Sequence, residues 1–166
     1  MQTNADKMFL EHYEKYKDKI FNYFWYRVNF NRATAEDLTS EVFLKAFEKF
    51  DRYDQRRPFQ PWIFAIAHNH LVNFYKISGR QTPLENLLPV FEAKEEDPNI
   101  HLDAEIVIKE INDLPDYQKD VLIMRYVNGL SNQEIAEALD KDESAIRVAI
   151  HRALNLLKEK IDAKNN

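Results

Sequence analysis

Apolar residues recur at helical spacing along most of the chain. In AEDLTSEVFLKAFEKF (35–50), Leu38, Val42, Phe43, Ala46, Phe47 and Phe50 share one face, and Asp37, Glu41, Lys45 and Glu48 the other. That is the repeat of an amphipathic helix, with Thr34 and Asp37 reading as its start signal. Phe9 to Phe30 is aromatic-rich (FNYFWYRVNF) and predicts core-facing helix. The tract DRYDQRRPFQP (51–61) is polar, basic and twice interrupted by proline, so a loop is expected. It interleaves Tyr53 and Phe59 with Arg52, Arg56 and Arg57. Pro61 suits the first turn of a following helix, Trp62 to about Ile77. On a helical wheel Ile63, Phe64, Ala67, Leu71, Phe74 and Tyr75 fall in one broad arc. Trp62, Asn69, Asn73 and Lys76 fall within about 40° of one line on the other side. Amides can hydrogen-bond base edges and an indole can stack on a base. Capping and surface solubility are the alternative account of that stripe.

The middle of the chain loses this periodicity. Residues 81–103 contain prolines 83, 89 and 98 and the acidic run Glu92 to Asp97, which predicts a linker between a domain at 1–80 and another at 104–166. A solvated loop within one domain is the other reading. Helical spacing resumes at Ala104–Asn112. Leu114-Pro115 then opens a helix from about Asp116 to Val127, which Asn128-Gly129 ends. Ser131 with Glu134 three residues on is a capping box, so a short helix runs to about Leu139. Asp140-Lys141-Asp142 makes a turn, where Asp is among the few side chains other than glycine that tolerate positive φ. The last helix runs from Glu143 to about Ile161, with Ile146, Ile150, Ala153, Leu154, Leu157 and Ile161 on its buried stripe. Ser144, Arg147, Val148, His151, Arg152 and Asn155 face away together. Two short helices with a tight turn between them are the form of a helix-turn-helix, and this exposed set is what a recognition helix offers to a major groove. A three-helix bundle that binds no DNA would share the pattern.

Composition narrows the class. With 166 residues, 45% of them hydrophobic, only 2 glycines and little Val/Ile/Thr alternation, the chain is expected to be all-α. It has no cysteine, so no disulfide framework, thiolate metal site or cysteine nucleophile is expected, as suits a cytoplasmic protein. No apolar run approaches the roughly 18–20 residues of a membrane span, and no basic-then-apolar leader opens the sequence. The formal net charge is −5. It is uneven: +3 over residues 1–80, −7 over 81–113 and −1 over 114–166. A lone DNA binder depends on neutralising phosphates, and this chain is poorly supplied for that.

Enzymatic readings find little support. His68 and His70 are two residues apart on a helix and do not share a face. His101, Asp103 and Glu105 could hold a metal only in an extended segment. No glycine-rich phosphate loop exists. No cofactor and no metal are expected, and the chain is not read as an enzyme. A stand-alone helix-turn-helix regulator, with residues 1–80 as an effector or dimerisation domain, remains an alternative.

Two tracts carry a resemblance to a known family: AEDLTSEVFLKAFEKFDRY…FQPWIFAIAHNHLVNFYK, and LPDYQKDVLIMRYVNGLSNQEIAEAL…AIRVAIHRALNLLK. In this order, joined by an acidic linker, they resemble the extracytoplasmic-function (ECF) sigma factors of the sigma-70 family. The match covers about 13–80 and 114–161. The resemblance implies a region 2 bundle and a region 4 helix-turn-helix. It implies core RNA polymerase as partner, through the β′ clamp helices and the β flap, and promoter DNA as ligand. An anti-sigma factor is a further partner common in the family. Carried over by position, Asp37 and Glu41 belong to the core-polymerase contact. Lys45, Lys49, Arg52, Tyr53, Phe59, Trp62, Asn69, Asn73 and Lys76 fall at −10 element positions, with the loop Arg52–Phe59 matching the one that captures a flipped base. Arg125, Ser144, Arg147, Val148, His151 and Arg152 fall at −35 positions. The chain departs from the family where Val148 and Ala149 replace a serine and an arginine, where Asp140 replaces the usual turn glycine, and where Gln55-Arg56-Arg57-Pro58 replaces small residues. The resemblance further implies that the polymerase supplies most of the affinity and that the acidic linker threads through its positively charged channels.

Overall fold

A computed structural model describes residues 3–78 and 102–165. The predicted linker therefore lies outside the described residues, apart from Leu102 and Asp103. The described chain is helical, and its order is α1 (Asn4–Arg27), α2 (Arg32–Lys49), a 3-10 turn (Phe50–Arg52), α3 (Phe59–Ile77), α4 (Ala104–Glu110), a second 3-10 turn (Ile111–Asp113), α5 (Asp116–Leu122), a π-type turn (Ile123–Val127), α6 (Asn132–Leu139) and α7 (Glu143–Lys164). Helices α1–α3 form one bundle and α4–α7 another, as the sequence predicts.

Helix starts follow local chemistry. Thr3 and Asp6 form a capping box on α1. Helix α2 begins earlier than Thr34 and Asp37 suggested: Asn31 is the cap, and its side chain accepts from the Thr34 backbone N–H. Asparagine satisfies an orphan donor there as well as threonine would. Helix α3 begins at Phe59, not Trp62, with Pro58 preceding it. Pro61 then lies in the first turn, where its missing N–H has no partner to lose. Between α1 and α2 the chain turns sharply, with φ 54° at Asn29 and 62° at Phe30. Positive φ is rare for a bulky side chain; here the Phe30 ring meets Trp25 and Tyr26 at 5.0 and 5.4 Å.

Two core assignments need correction. Phe47 is half-exposed (48%), because α2 packs on α1 and α3 through the Leu38, Val42 and Ala46 stripe. The aromatic residues of α1 are core-facing at Phe9, Tyr16, Tyr23 and Phe24. Phe21, Trp25 and Tyr26 are half-buried and Phe30 exposed. A helix of aromatic residues all round has more apolar surface than one core face can cover.

In the second bundle the Ser131/Glu134 capping box is present, and Asp140 ends α6 in the left-handed region at φ 55°. The predicted helix 116–127 is α-helical only to Leu122 and then widens into the π turn. The predicted buried stripe of α7 is buried, except that Ile161 is half-buried, and the helix continues to Lys164.

The two bundles are closed on each other. Helix α3 packs along α6, and α1 against the π turn. At the seam the Arg27 guanidinium stands 3.1 Å from Asp120 and 3.5 Å from Asp116. Tyr23 Oη donates to Asp120 at 2.9 Å, and His68 Nδ1 lies 3.4 Å from the other Asp120 oxygen. Asn128 Nδ2 donates to the Lys19 carbonyl at 3.0 Å, and Gln60 Nε2 to Glu134 at 2.8 Å. A linker such as 81–103 is compatible with a closed, packed pair and with an open, tethered pair; the structure is closed.

Candidate nucleic-acid interface

Helix α3 is built as the wheel foresees, with one adjustment. Ile63, Phe64, Ala67 and Leu71 are buried, and Phe74 and Tyr75 half-buried. Each aliphatic side chain fully buried here stabilises the bundle by about 1.5–3 kcal/mol. Asn69, Asn73 and Lys76 are exposed along one line of the outer face. Trp62, expected on that stripe, is half-buried. Its ring lies 4.8 Å from Tyr53, 5.4 Å from Phe59 and 6.4 Å from Phe50.

The loop 53–58 is thus anchored by its aromatics rather than displaying them. Tyr53 and Phe59 are buried, and Tyr53 Oη donates to the Arg57 carbonyl. Burial pushes the Tyr53 hydroxyl pKa upward, helped by Tyr16 and Asp54. Phe59 stacks face to face on His12 at 4.1 Å. Desolvation, with Lys15 adding to it, lowers the His12 pKa, so the neutral ring is favoured in this aromatic nest. His12 has no sequence signal that could have placed it here. Arg52, Arg56 and Arg57 are exposed, and Asp54 ties Arg56 down at 3.1 Å. The loop therefore presents cations around a closed aromatic cluster.

On α2, Asp37 and Glu41 are exposed. Beside them stand Leu44 (61% exposed) and Phe47, with Leu10 of α1 also half-exposed. Sequence reasoning did not name Leu44, and it assigned Phe47 to the core. Lys49 is exposed, whereas Lys45 turns toward α3, where its Nζ meets His70.

The outer face of α7 carries Ser144, Arg147 and Val148 exposed, and His151, Arg152 and Asn155 half-buried beside them. Among the described residues Arg147 is held by Glu143 at 3.5 Å, an exposed pair of small weight. Ala149 is buried, so the position that departs from the family motif belongs to the packing side of α7. Arg125 is exposed and donates to the Leu130 carbonyl at 3.1 Å, bracing the turn that leads into α6. Two polar stripes result: one of amides and a lysine, one of arginine, histidine, serine and valine. Both carry the donors, acceptors and apolar contacts that read base edges and phosphates.

Comparison with known proteins agrees with this architecture. The family model for sigma-70 region 2 matches residues 12–81, and that for sigma-70 region 4 matches 104–157. The ECF RNA polymerase sigma factor BldN of Streptomyces coelicolor is 30% identical over 151 residues, covering 87% of this chain and 57% of the relative. The ECF sigma factor SigD of Mycobacterium tuberculosis is 34% identical over 136 residues, covering 78% and 64%. The chain thus spans about three-fifths of the length of these relatives. Among solved structures, the sigma factor RpoE of Bartonella quintana, in complex with the anti-sigma factor NepR, superposes with a TM-score of 0.70. It is 21% identical, over 94% of this chain and 98% of that one, a likeness of fold. With region 2 and region 4 both matched, in the order of the two helical bundles, this chain belongs to the ECF branch of the sigma-70 family.

Proposed function

We propose that this protein is a promoter-specificity subunit of bacterial RNA polymerase, acting in the cytoplasm. The observation that carries the reading is the pair of exposed polar stripes, one on each bundle of a single chain. Residues 1–80 take the region 2 role, binding core polymerase and the −10 element. Residues 104–166 take the region 4 role at the −35 element, with 81–103 as the acidic connection. Asn69, Asn73 and Lys76 read the −10 strand, with Lys45, Lys49 and Arg52 on its phosphates. Tyr53, Phe59 and Trp62 support the base-capturing loop. Ser144, Arg147, Val148, His151 and Arg152 read the −35 groove, and Arg125 a phosphate. Asp37 and Glu41, with Leu44 and Phe47, form the core-polymerase contact, since exposed apolar side chains rimmed by charge suit protein docking.

Energetics favour a shared task. Opening DNA costs a mean of about 1.4 kcal/mol per base step, and even a base stacked on an exposed aromatic returns only about 1–3 kcal/mol; here Tyr53 and Phe59 are buried. A chain of net charge −5 cannot offset several steps by phosphate contacts alone. Core polymerase supplies that affinity and this chain supplies the address. An anti-sigma factor would act by covering the same surfaces; the sigma factor of similar fold was solved in complex with one. The test adds the purified protein to bacterial core RNA polymerase on a pool of promoter fragments. Transcription from a discrete subset, lost in Asn73→Ala or Arg147→Ala, is expected. Absence of core binding, with tight binding to a palindromic duplex, would replace this reading with a stand-alone regulator.

A further inference from the structure

Helix α3 carries a second histidine that the site above does not use. His70 lies against α2 with its side chain only 10% exposed. Its Nδ1 is 2.8 Å from Lys45 Nζ, and its Nε2 is 2.6 Å from a Glu41 carboxylate oxygen. An ammonium has donors only. Lys45 can therefore donate to Nδ1 only if that nitrogen is bare, which places the ring proton on Nε2, aimed at Glu41. One neutral imidazole thus accepts from a cation and donates to an anion. From α2 the charged groups meeting it are these two; the other described polar contacts of α3 to α1 and the second bundle go through Gln60, His68 and Tyr75.

Glu41 and Lys45 are four residues apart on α2, in the order that forms the ordinary helical ion pair. Among the described contacts they do not form it: each is bonded to His70 instead. We infer that His70 is a positioning residue of the −10 site. It holds Glu41 and Lys45 apart, leaving the Glu41 carboxylate toward core polymerase and the remaining Lys45 donors toward the −10 phosphates. The inference rests on the proposed sigma-factor reading. Without the imidazole the two side chains close on each other, and each is withdrawn from its partner.

The experiment uses holoenzyme assembled from core RNA polymerase and the full chain. The probe is a fork-junction DNA cut from the strongest fragment of the pool described above. Three quantities are read: affinity for core, affinity for the fork junction, and the salt slope of the latter. His70→Leu is expected to weaken fork-junction binding roughly fivefold, the weight of one exposed charge contact. The salt slope should fall by about one unit, as loss of one phosphate contact requires. His70→Gln keeps an acceptor and a donor and should restore both. Glu41→Gln in the His70→Leu background frees Lys45 and should restore the salt slope, with no such gain in the wild-type background. A His70→Leu protein that folds to within about 2 °C of the wild-type melting point yet keeps the full salt slope would overturn the inference. So would a His70→Gln protein as impaired as His70→Leu. A wild-type chain that does not bind core or initiate transcription removes the reading itself, and the role of His70 with it.

Discussion

Arg27 Nε and Asp120 Oδ1 lie 3.1 Å apart, both side chains almost wholly buried at the seam between the bundles. The contact is close, yet neither Nε nor Nη1 of Arg27 meets hydrogen-bonding geometry. A buried pair of this kind gives specificity more than depth, because desolvation offsets most of the attraction. The −35 and −10 elements are centred about 85 Å apart at about 3.4 Å per base pair. A compact chain of this length has a radius of gyration of only about 15 Å. On the proposed function, the closed arrangement must open for both stripes to reach their promoter elements.

Removing one partner should unlatch it. Asp120→Ala leaves the buried Arg27 charge with only the half-buried Asp116 at 3.5 Å among the described residues, and breaking a buried pair costs up to about 3–5 kcal/mol. The expected outcome is a larger radius of gyration by small-angle X-ray scattering and a lower urea midpoint. An unchanged scattering profile would mean that the remaining seam contacts, the α3–α6 packing with the Asn128–Lys19 and Gln60–Glu134 bonds, keep the bundles closed without it.

Acid should loosen the same seam. Burial alone would raise the Asp120 pKa, but Arg27, His68 and Tyr23 together overcome it and leave the carboxyl below its usual value. A carboxyl depressed in the folded state stabilises above its unfolded value, about pH 3.9, and that stability is lost as pH falls through the folded value. Urea midpoints measured from pH 7 down to about pH 2.5 should fall more steeply below about pH 4 for the wild type than for Asp120→Asn. Parallel curves would remove Asp120 as the acid-sensitive group.

Ser131 and Glu134 separate a local role from a long-range one. Each closes one half of the α6 capping box, but only Glu134 also accepts from Gln60 of α3. Ser131→Ala should cost about 1 kcal/mol and Glu134→Ala more. Gln60→Ala should cost less in the Glu134→Ala background than in the wild type, the remainder being its bond from Lys19. Chemical denaturation of the cycle checks this; strict additivity would deny the cross-bundle bond any weight.

Asp140→Gly should stabilise the turn. Asp140 holds φ 55°, where an L side chain costs roughly 1–2 kcal/mol, while glycine adds entropy to the unfolded chain. A net gain of about 0.5–1 kcal/mol is expected, read as a melting-temperature rise of a few degrees. A fall would show that the aspartate side chain stabilises the turn more than its backbone strains it.

At the proposed −35 stripe of α7, Arg147→Ala should relax one base position and leave the rest of the promoter preference intact, with about 1–3 kcal/mol of discrimination lost there. Arg125→Ala should instead weaken all promoters alike and lower the salt slope by about one. Selection from a randomised promoter pool distinguishes the two, and a uniform loss for Arg147→Ala would reassign it to the backbone.

The sequence by itself determined the helices, their capping box at Ser131, the left-handed turn at Asp140 and the outward stripes of α3 and α7. These depend on spacings of three or four residues and on the φ preferences of single side chains, which local pattern records. Tertiary structure decided the rest. Whether Phe47 is core or surface depended on which stripe of α2 met its neighbours. Tyr53, Phe59 and Trp62 had loop and helix positions in the sequence but acquired a shared aromatic nest, with His12, only on folding. The closed seam joins Tyr23 to Asp120, 97 positions apart, and Asn128 to Lys19, 109 apart. The imidazole of His70 lies between Glu41 and Lys45 because α3 crosses α2 at that height. Contacts at such separations arise from how helices pack, and a one-dimensional repeat carries only the face each helix offers, not the neighbour that will meet it.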